Sequence, residues 1–164
     1  MRVFVSMNSG RAALGAALLF FCAVIMHMAA PTLAQKAMQR DTLKLVTASG
    51  THTFDIEVAD TDEQKARGLM FRRSLEQNAG MLFPYTPPQE ITMWMKNTYI
   101  PLDMVFIKAD GRVLRVAERT EPFSEKVIAS QGDAAAVLEV IAGTAARIGI
   151  KPGDKVEHSL FSKK

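Results

Sequence analysis

Phe54, Ile56 and Val58 alternate with Thr53, Asp55 and Glu57, the two-residue period of a strand with one wet face. A β-favouring run from Leu43 to Ala48 precedes it across Ser49-Gly50, so the pair predicts a hairpin. The period then changes. Thr61 is followed three residues later by Gln64, as in a capping box, and Asp62 and Glu63 suit the positive end of a helix dipole. A short helix is expected from about Asp62 to Leu69. Gly80 to Phe83 reads as a strand, Pro87-Pro88 as a break in regular structure, and Ile91 to Lys96 as a resumed strand ending at Asn97-Thr98. Asp103 to Lys108 and Arg112 to Glu118 flank Ala109-Asp110-Gly111, whose Asp-Gly pair signals a second hairpin. Ala134 to Ala142 is ambiguous: its alanines favour a helix, whereas Val137, Leu138, Val140 and Ile141 between Gly132 and Gly143 suit a buried strand. Thr144 is placed to cap one helical turn through Arg147, and Pro152-Gly153-Asp154 to turn the chain into a last strand, Lys155 to Leu160. Short strands broken by Gly and Pro turns predict a mainly β (β-rich α+β) fold. It is expected to be a single compact antiparallel β-sandwich or barrel-like domain with one or two short helices.

The first residues follow another pattern. Arg2 and Arg11 make a positive start, Ala12 to Met26 is apolar, and Thr32-Leu33-Ala34 offers a small-residue cleavage site. Residues 1–34 are therefore expected to be a signal peptide cut between Ala34 and Gln35, leaving a periplasmic or secreted chain of residues 35–164. An uncleaved anchor fits less well, because a spanning helix needs ~20 apolar residues and His27 and Pro31 interrupt this stretch. The single cysteine, Cys22, falls in the leader, so the exported domain would form neither a disulfide nor a thiolate metal site. Losing Arg2 and Arg11 leaves 20 − 2 = 18 basic residues against 17 acidic. A nearly neutral domain lacks the global basic footprint of a nucleic-acid binder, although Arg67, Arg72 and Arg73 could form a local patch.

Four blocks make the densest patterned stretch: Arg67-Gly68-Leu69-Met70, Gly80-Met81-Leu82-Phe83, Met93-Trp94-Met95-Lys96-Asn97-Thr98 and Pro101-Leu102-Asp103-Met104-Val105-Phe106. They resemble the prokaryotic family called domain of unknown function 192, or the uncharacterised ACR family, over roughly the whole chain after the leader. The resemblance implies a small sandwich-like β fold, favours a strand for Ala134 to Ala142, and brings no assigned biochemical role.

The same blocks supply the candidate site. In an extended strand Met93 and Met95 point one way, and Trp94 and Lys96 the other. With the methionines in the core, Trp94 would present an indole beside an ammonium, suited to stacking on a flat or sugar-like ligand; the bland reading is a tryptophan plugging the core. Asp103 lies among apolar residues and must find a partner, the nearest in sequence being Lys96, Asn97 and Thr98. It is either a general base or ligand acceptor, or a clasp for the loop from Asn97 to Pro101. Arg67 follows Glu63 by four residues, so it is either a surface ion pair or a planar fork for a carboxylate or phosphate. Glu139 is an acid in an apolar segment, either a second buried carboxylate or an outward-facing strand residue.

Met70, Met81, Met93, Met95 and Met104 could in principle bind Cu(I), but thioethers more often fill core gaps, and no metal or cofactor is expected. His52 and His158 are isolated and read as surface strand residues. No nucleophile elbow, zinc-protease motif or phosphate loop is present. The expectation is an exported binding module. Its ligand-binding residues would be Arg67, Trp94, Lys96, Asn97 and Asp103, and they would take a small polar or glycan-like ligand, with no nucleic acid and no membrane partner after leader cleavage. A hydrolase using Asp103 with Glu139 and a partner-binding domain without a pocket are the alternatives.

Overall fold

The computed structural model describes residues 37–162, which fall within one compact unit. The leader expected over residues 1–34, with Cys22, lies outside the described residues. Seven strands form one sheet: β1 (Gln39–Thr47), β2 (Gly50–Val58), β3 (Ala79–Met93), β4 (Leu102–Ile107), β5 (Val113–Thr120), β6 (Ile128–Ile141) and β7 (Lys155–Glu157). Their spatial order is β5-β4-β6-β3-β2-β1-β7. Two short helices, α1 (Asp62–Arg67) and α2 (Thr144–Ile148), complete the domain with a 3-10 turn at Ser159–Phe161.

The β-rich expectation holds. Of the sandwich and barrel-like forms it left open, the sheet takes the curled one, its two edges meeting where Arg112 bridges Lys155. All pairings are antiparallel except β2 with β3, which are parallel and joined across α1. Both hairpins lie where the turn signals place them, and Ala134 to Ile141 is strand. The expected break at Pro87-Pro88 is a correction: β3 runs through it as one element, and the ladder to β6 shifts register between Pro84 and Gln89 and again between Glu90 and Thr92. A strand tolerates prolines where its partner makes room through an irregular register.

Curling gives the sheet an inner and an outer apolar face. Leu43, Phe54, Leu82, Val105, Leu138 and Val156 belong to the inner cluster, which draws on every strand and is plugged by Ala145 and Ile148 of α2. Met81, Phe83, Leu102, Met104, Phe106 and Val137 belong to the outer cluster, together with Leu69, Met95 and Ile100 from the covering segments. This explains why β4 is buried on both faces.

Gly80 leaves no room for a side chain between β3 and β6: a Cβ there would lie 2.8 Å from the Glu139 carbonyl oxygen. Gly68 ends α1 with φ of 47°, and a Cβ there would press on the Phe83 ring at 3.2 Å. Two of the four sequence blocks are thus read as close-approach points.

Candidate functional site

Thr61 caps α1 as expected, accepting from the Gln64 backbone while the Gln64 side chain returns to the cap. That fixes α1 over the outer face of β3 and β6, but the cover is incomplete. Between α1, the far end of β3 and Thr98 a cleft of about 370 Å³ remains. Lys65, Arg67 and Met70 line one side, Tyr85, Met93 and Trp94 the other, and Phe83 and Glu139 also contribute.

Glu139 is the unexpected member. Along β6, Ala136, Leu138 and Val140 turn to the inner cluster and Val137 to the outer, so the alternation sends Glu139 outward. Outward here is not toward solvent: Glu139 is 4% exposed. Its directly opposed neighbours are Met81 on β3 and Met104 on β4, neither a hydrogen-bond donor. Among the described residues no side chain or backbone group hydrogen-bonds or ion-pairs with its carboxyl. Burial alone pushes its pKa up to about 8, so the acid is neutral at neutral pH. The Tyr85 phenol is raised too, first by burial, then by the negative charges of Glu139 and Asp62. By the pH at which a phenol ionises, Glu139 is already charged, so these two shifts are consistent.

Two of the five candidates stand at this cleft. Arg67 lines it and is exposed, with no ion-pair partner among the described residues; the pairing with Glu63 does not form. Trp94 lines it and is 47% exposed, with the Lys96 Nζ 5.0 Å from its ring centroid. Lys96 and Asn97 stand behind the wall. Lys96 reaches Glu125 at 3.8 Å, and Asn97 braces two loops, its carbonyl accepting from Phe71 N at 2.9 Å and its Nδ2 donating to Met70 Sδ at 3.9 Å. Left-handed φ values at Phe71 (65°), Asn97 (53°) and Phe123 (62°) gather in these loops. For non-glycine residues each costs on the order of 1–3 kcal/mol and persists only where surroundings enforce it.

Asp103 is elsewhere. It faces Val140 across the β4–β6 ladder while Met104 faces Glu139, so the two carboxylates project to opposite sides of the sheet and form no catalytic pair. The expected donors at Lys96 to Thr98 are not its partners, and this is a correction. Asp103 is fully buried and accepts from Arg119 N and Ala145 N, both at 2.8 Å. It therefore clasps β5 and the start of α2 instead of the loop at Asn97. The second bond also corrects the expected cap. Gly143 is the N-cap of α2, Thr144 makes no cap bond, and Asp103 takes the amide of the second helical residue from a different strand.

Other expectations resolve locally. Met81, Met95 and Met104 are fully buried in the outer cluster, and Met95 Sδ accepts from Thr120 Oγ1 at 3.1 Å. Arg72 makes a bidentate pair with Glu57 at 2.6 and 2.7 Å, which lowers the pKa of Glu57. His158 is no surface strand residue: its side chain is 7% exposed and bonds Asp41 at 3.1 Å, tying the C-terminal segment to β1. Three further concavities, of about 400, 520 and 610 Å³, contain no buried carboxyl. Among the described residues no group of three or more His, Cys, Asp or Glu side chains could hold a metal ion, and no helix is long and apolar enough to cross a membrane.

Known proteins resemble the chain in three-dimensional form. A Sinorhizobium meliloti 1021 protein, described as a proposed transcription regulator, is 42% identical with a TM-score of 0.73, the match covering 76% of this chain and 97% of that one. A Novosphingobium aromaticivorans DSM 12444 protein of unknown function is 45% identical with a TM-score of 0.72, covering 74% and 86%. No curated protein matches. The model of the domain of unknown function 192, uncharacterised ACR, matches residues 44–158, and the chain belongs to that family.

Proposed function

We propose that this protein is an exported small-ligand-binding module whose seat is the cleft between α1 and β3. One observation carries the reading: a buried carboxyl without a partner among the described residues opens into a cavity with an unpaired arginine and a half-exposed tryptophan. Buried polar groups are normally hydrogen-bonded, and the exceptions gather where a ligand supplies the missing bond. The volume of about 370 Å³ suits one ring or a short chain rather than an extended glycan. The regulator description of the Sinorhizobium relative is not carried over, because 18 basic against 17 acidic residues after position 34 give no global basic footprint.

Trp94 is the chain's only tryptophan, so its emission reports on this cleft alone. Titration with amino acids, short peptides, sugars and polyols is expected to give a saturable change for at least one class, abolished in Arg67→Ala. A panel that leaves both Trp94 emission and the melting temperature unmoved would refute the binding reading. Export is tested separately: protein recovered from the periplasm or medium is expected to begin at Gln35.

A further inference from the structure

Resting on the binding reading above, we infer that the cleft takes a small zwitterion, with an organic ammonium set against Glu139 and the aromatic rings and an anionic group held by Arg67. Four features of the cleft converge on this chemistry. The first is the bare acid. A buried carboxyl gains most from a cation, because an ionised carboxylate without a counter-charge is strongly disfavoured in an apolar surround. A neutral polyol would satisfy it too, but would lay its remaining hydroxyls against Leu69, Met70, Phe83 and Met93, which return no comparable bonds.

The second feature is aromatic. Phe83, Tyr85 and Trp94 line the same cleft as the acid, and π-faces attract ammonium groups, most of all when water is excluded. Two of these rings already hold one. Lys65 Nζ lies 4.8 Å from the Tyr85 centroid and Lys96 Nζ 5.0 Å from that of Trp94. The thioethers of Met70 and Met93 add soft, polarizable surface suited to the alkyl groups of a substituted amine.

Third, Arg67 offers a planar fork with no competing carboxylate among the described residues. A plain amine would leave it idle, and a plain anion would leave the aromatic faces without a cation. Only a molecule with both charges satisfies both walls. Fourth, the volume of about 370 Å³ has room for a small zwitterion such as an amino acid or betaine and not for an extended glycan.

Binding should move a proton. Neutral Glu139 meeting an ammonium loses its proton to buffer and becomes the carboxylate of the pair, while the ammonium keeps its own protons. The titratable and charged groups facing the site are Tyr85 from β3 and Lys65 and Arg67 from α1, with Asp62 acting on Tyr85; the opposed β4 residue is Met104.

The experiment is calorimetric titration of the protein with glycine betaine, tetramethylammonium, acetate and glucose, in phosphate and in Tris at about pH 7, with Trp94 emission in parallel. Glycine betaine is expected to bind at least ~10-fold tighter than tetramethylammonium, and acetate and glucose not to compete. Comparing the two buffers should give about one proton released per ligand, falling to none near pH 9.5. E139Q should lose the proton release and bind ~10-fold or more weaker, with an unchanged melting temperature at about pH 4 as the control for folding. Tighter binding of glucose or acetate, or betaine binding with no proton release, overturns the zwitterion assignment and leaves the cleft as a binding site. Silence of all four probes overturns the assignment, and silence of the wider amino acid, peptide and sugar panel overturns the cleft reading itself.

Discussion

Asp103 and Glu139 sit on neighbouring strands, one residue apart in register, and both are buried, yet they occupy opposite chemical worlds. On the inner face Asp103 meets backbone: its two oxygens take the amides of Arg119 and Ala145. A carboxylate with two charge-assisted bonds is part of the scaffold, and here it sets the start of α2 against β4. On the outer face Glu139 is opposed by Met81 and Met104 and lines a cavity. The same functional group at similar burial is a clasp when its acceptor capacity is filled and a site when it is not. Burial alone does not distinguish them; the inventory of donors does.

Asp103→Ala should test the closed side most severely. It strands two amides, each costing ~1–3 kcal/mol when unpaired. A loss of roughly 2–4 kcal/mol in urea unfolding is expected, with Asp103→Asn losing less because one oxygen remains. If Asp103→Ala were neutral, the clasp would be empty of energetic content and the contrast would fail.

Glu139→Gln should act in the opposite direction and only at high pH. The acid has a folded pKa of about 8 against an ordinary 4.5, so the folded state holds the proton more tightly. Below about pH 4.5 the group is protonated in both states and costs nothing through ionisation. From there stability falls as pH rises through about 8, because unfolding releases the proton. Relative to the native chain, Glu139→Gln is therefore expected to be equal at about pH 4 and more stable by up to a few kcal/mol near pH 9. Chemical denaturation across that range decides it, and parallel curves would mean that Glu139 has a donor after all.

Two arginines draw the same contrast more faintly. Arg72, locked to Glu57 in a partly exposed bidentate pair, belongs to the scaffold, and Arg72→Ala should cost ~0.5–1 kcal/mol. Arg67 lines the cleft without a partner among the described residues, and Arg67→Ala should change thermal stability by less than ~0.5 kcal/mol while removing ligand response. A destabilised Arg67→Ala would return this residue to the scaffold.

Much of the domain was legible in the chain because its signals are local. The Ser49-Gly50 and Asp110-Gly111 turns, the Thr61-to-Gln64 capping box and the alternation from Thr53 to Val58 each fix a conformation within a few residues. The strand expected to run to Lys96 ends at Met93, and Met93 lines the cleft beside Trp94 instead of sharing the buried side of Met95, so the exposed indole with its lysine neighbour does not come from strand alternation. The passage of β3 through Pro87-Pro88 was hidden, since a proline reads as a break until the partner strand is seen to shift register around it.

What the sequence determined by itself is a β-rich family fold, its turns, and the fact that two acids lie in apolar strands. What only the tertiary structure decided is which of them is spoken for. Donors to Asp103 come from Arg119 and Ala145, 16 and 42 residues away, and the cover over Glu139 comes from α1 and the end of β3, so no reading of neighbours along the chain could assign them. A strand alternates its side chains by local geometry, but whether the outward face meets water, protein or a cavity is set by the elements that pack upon it.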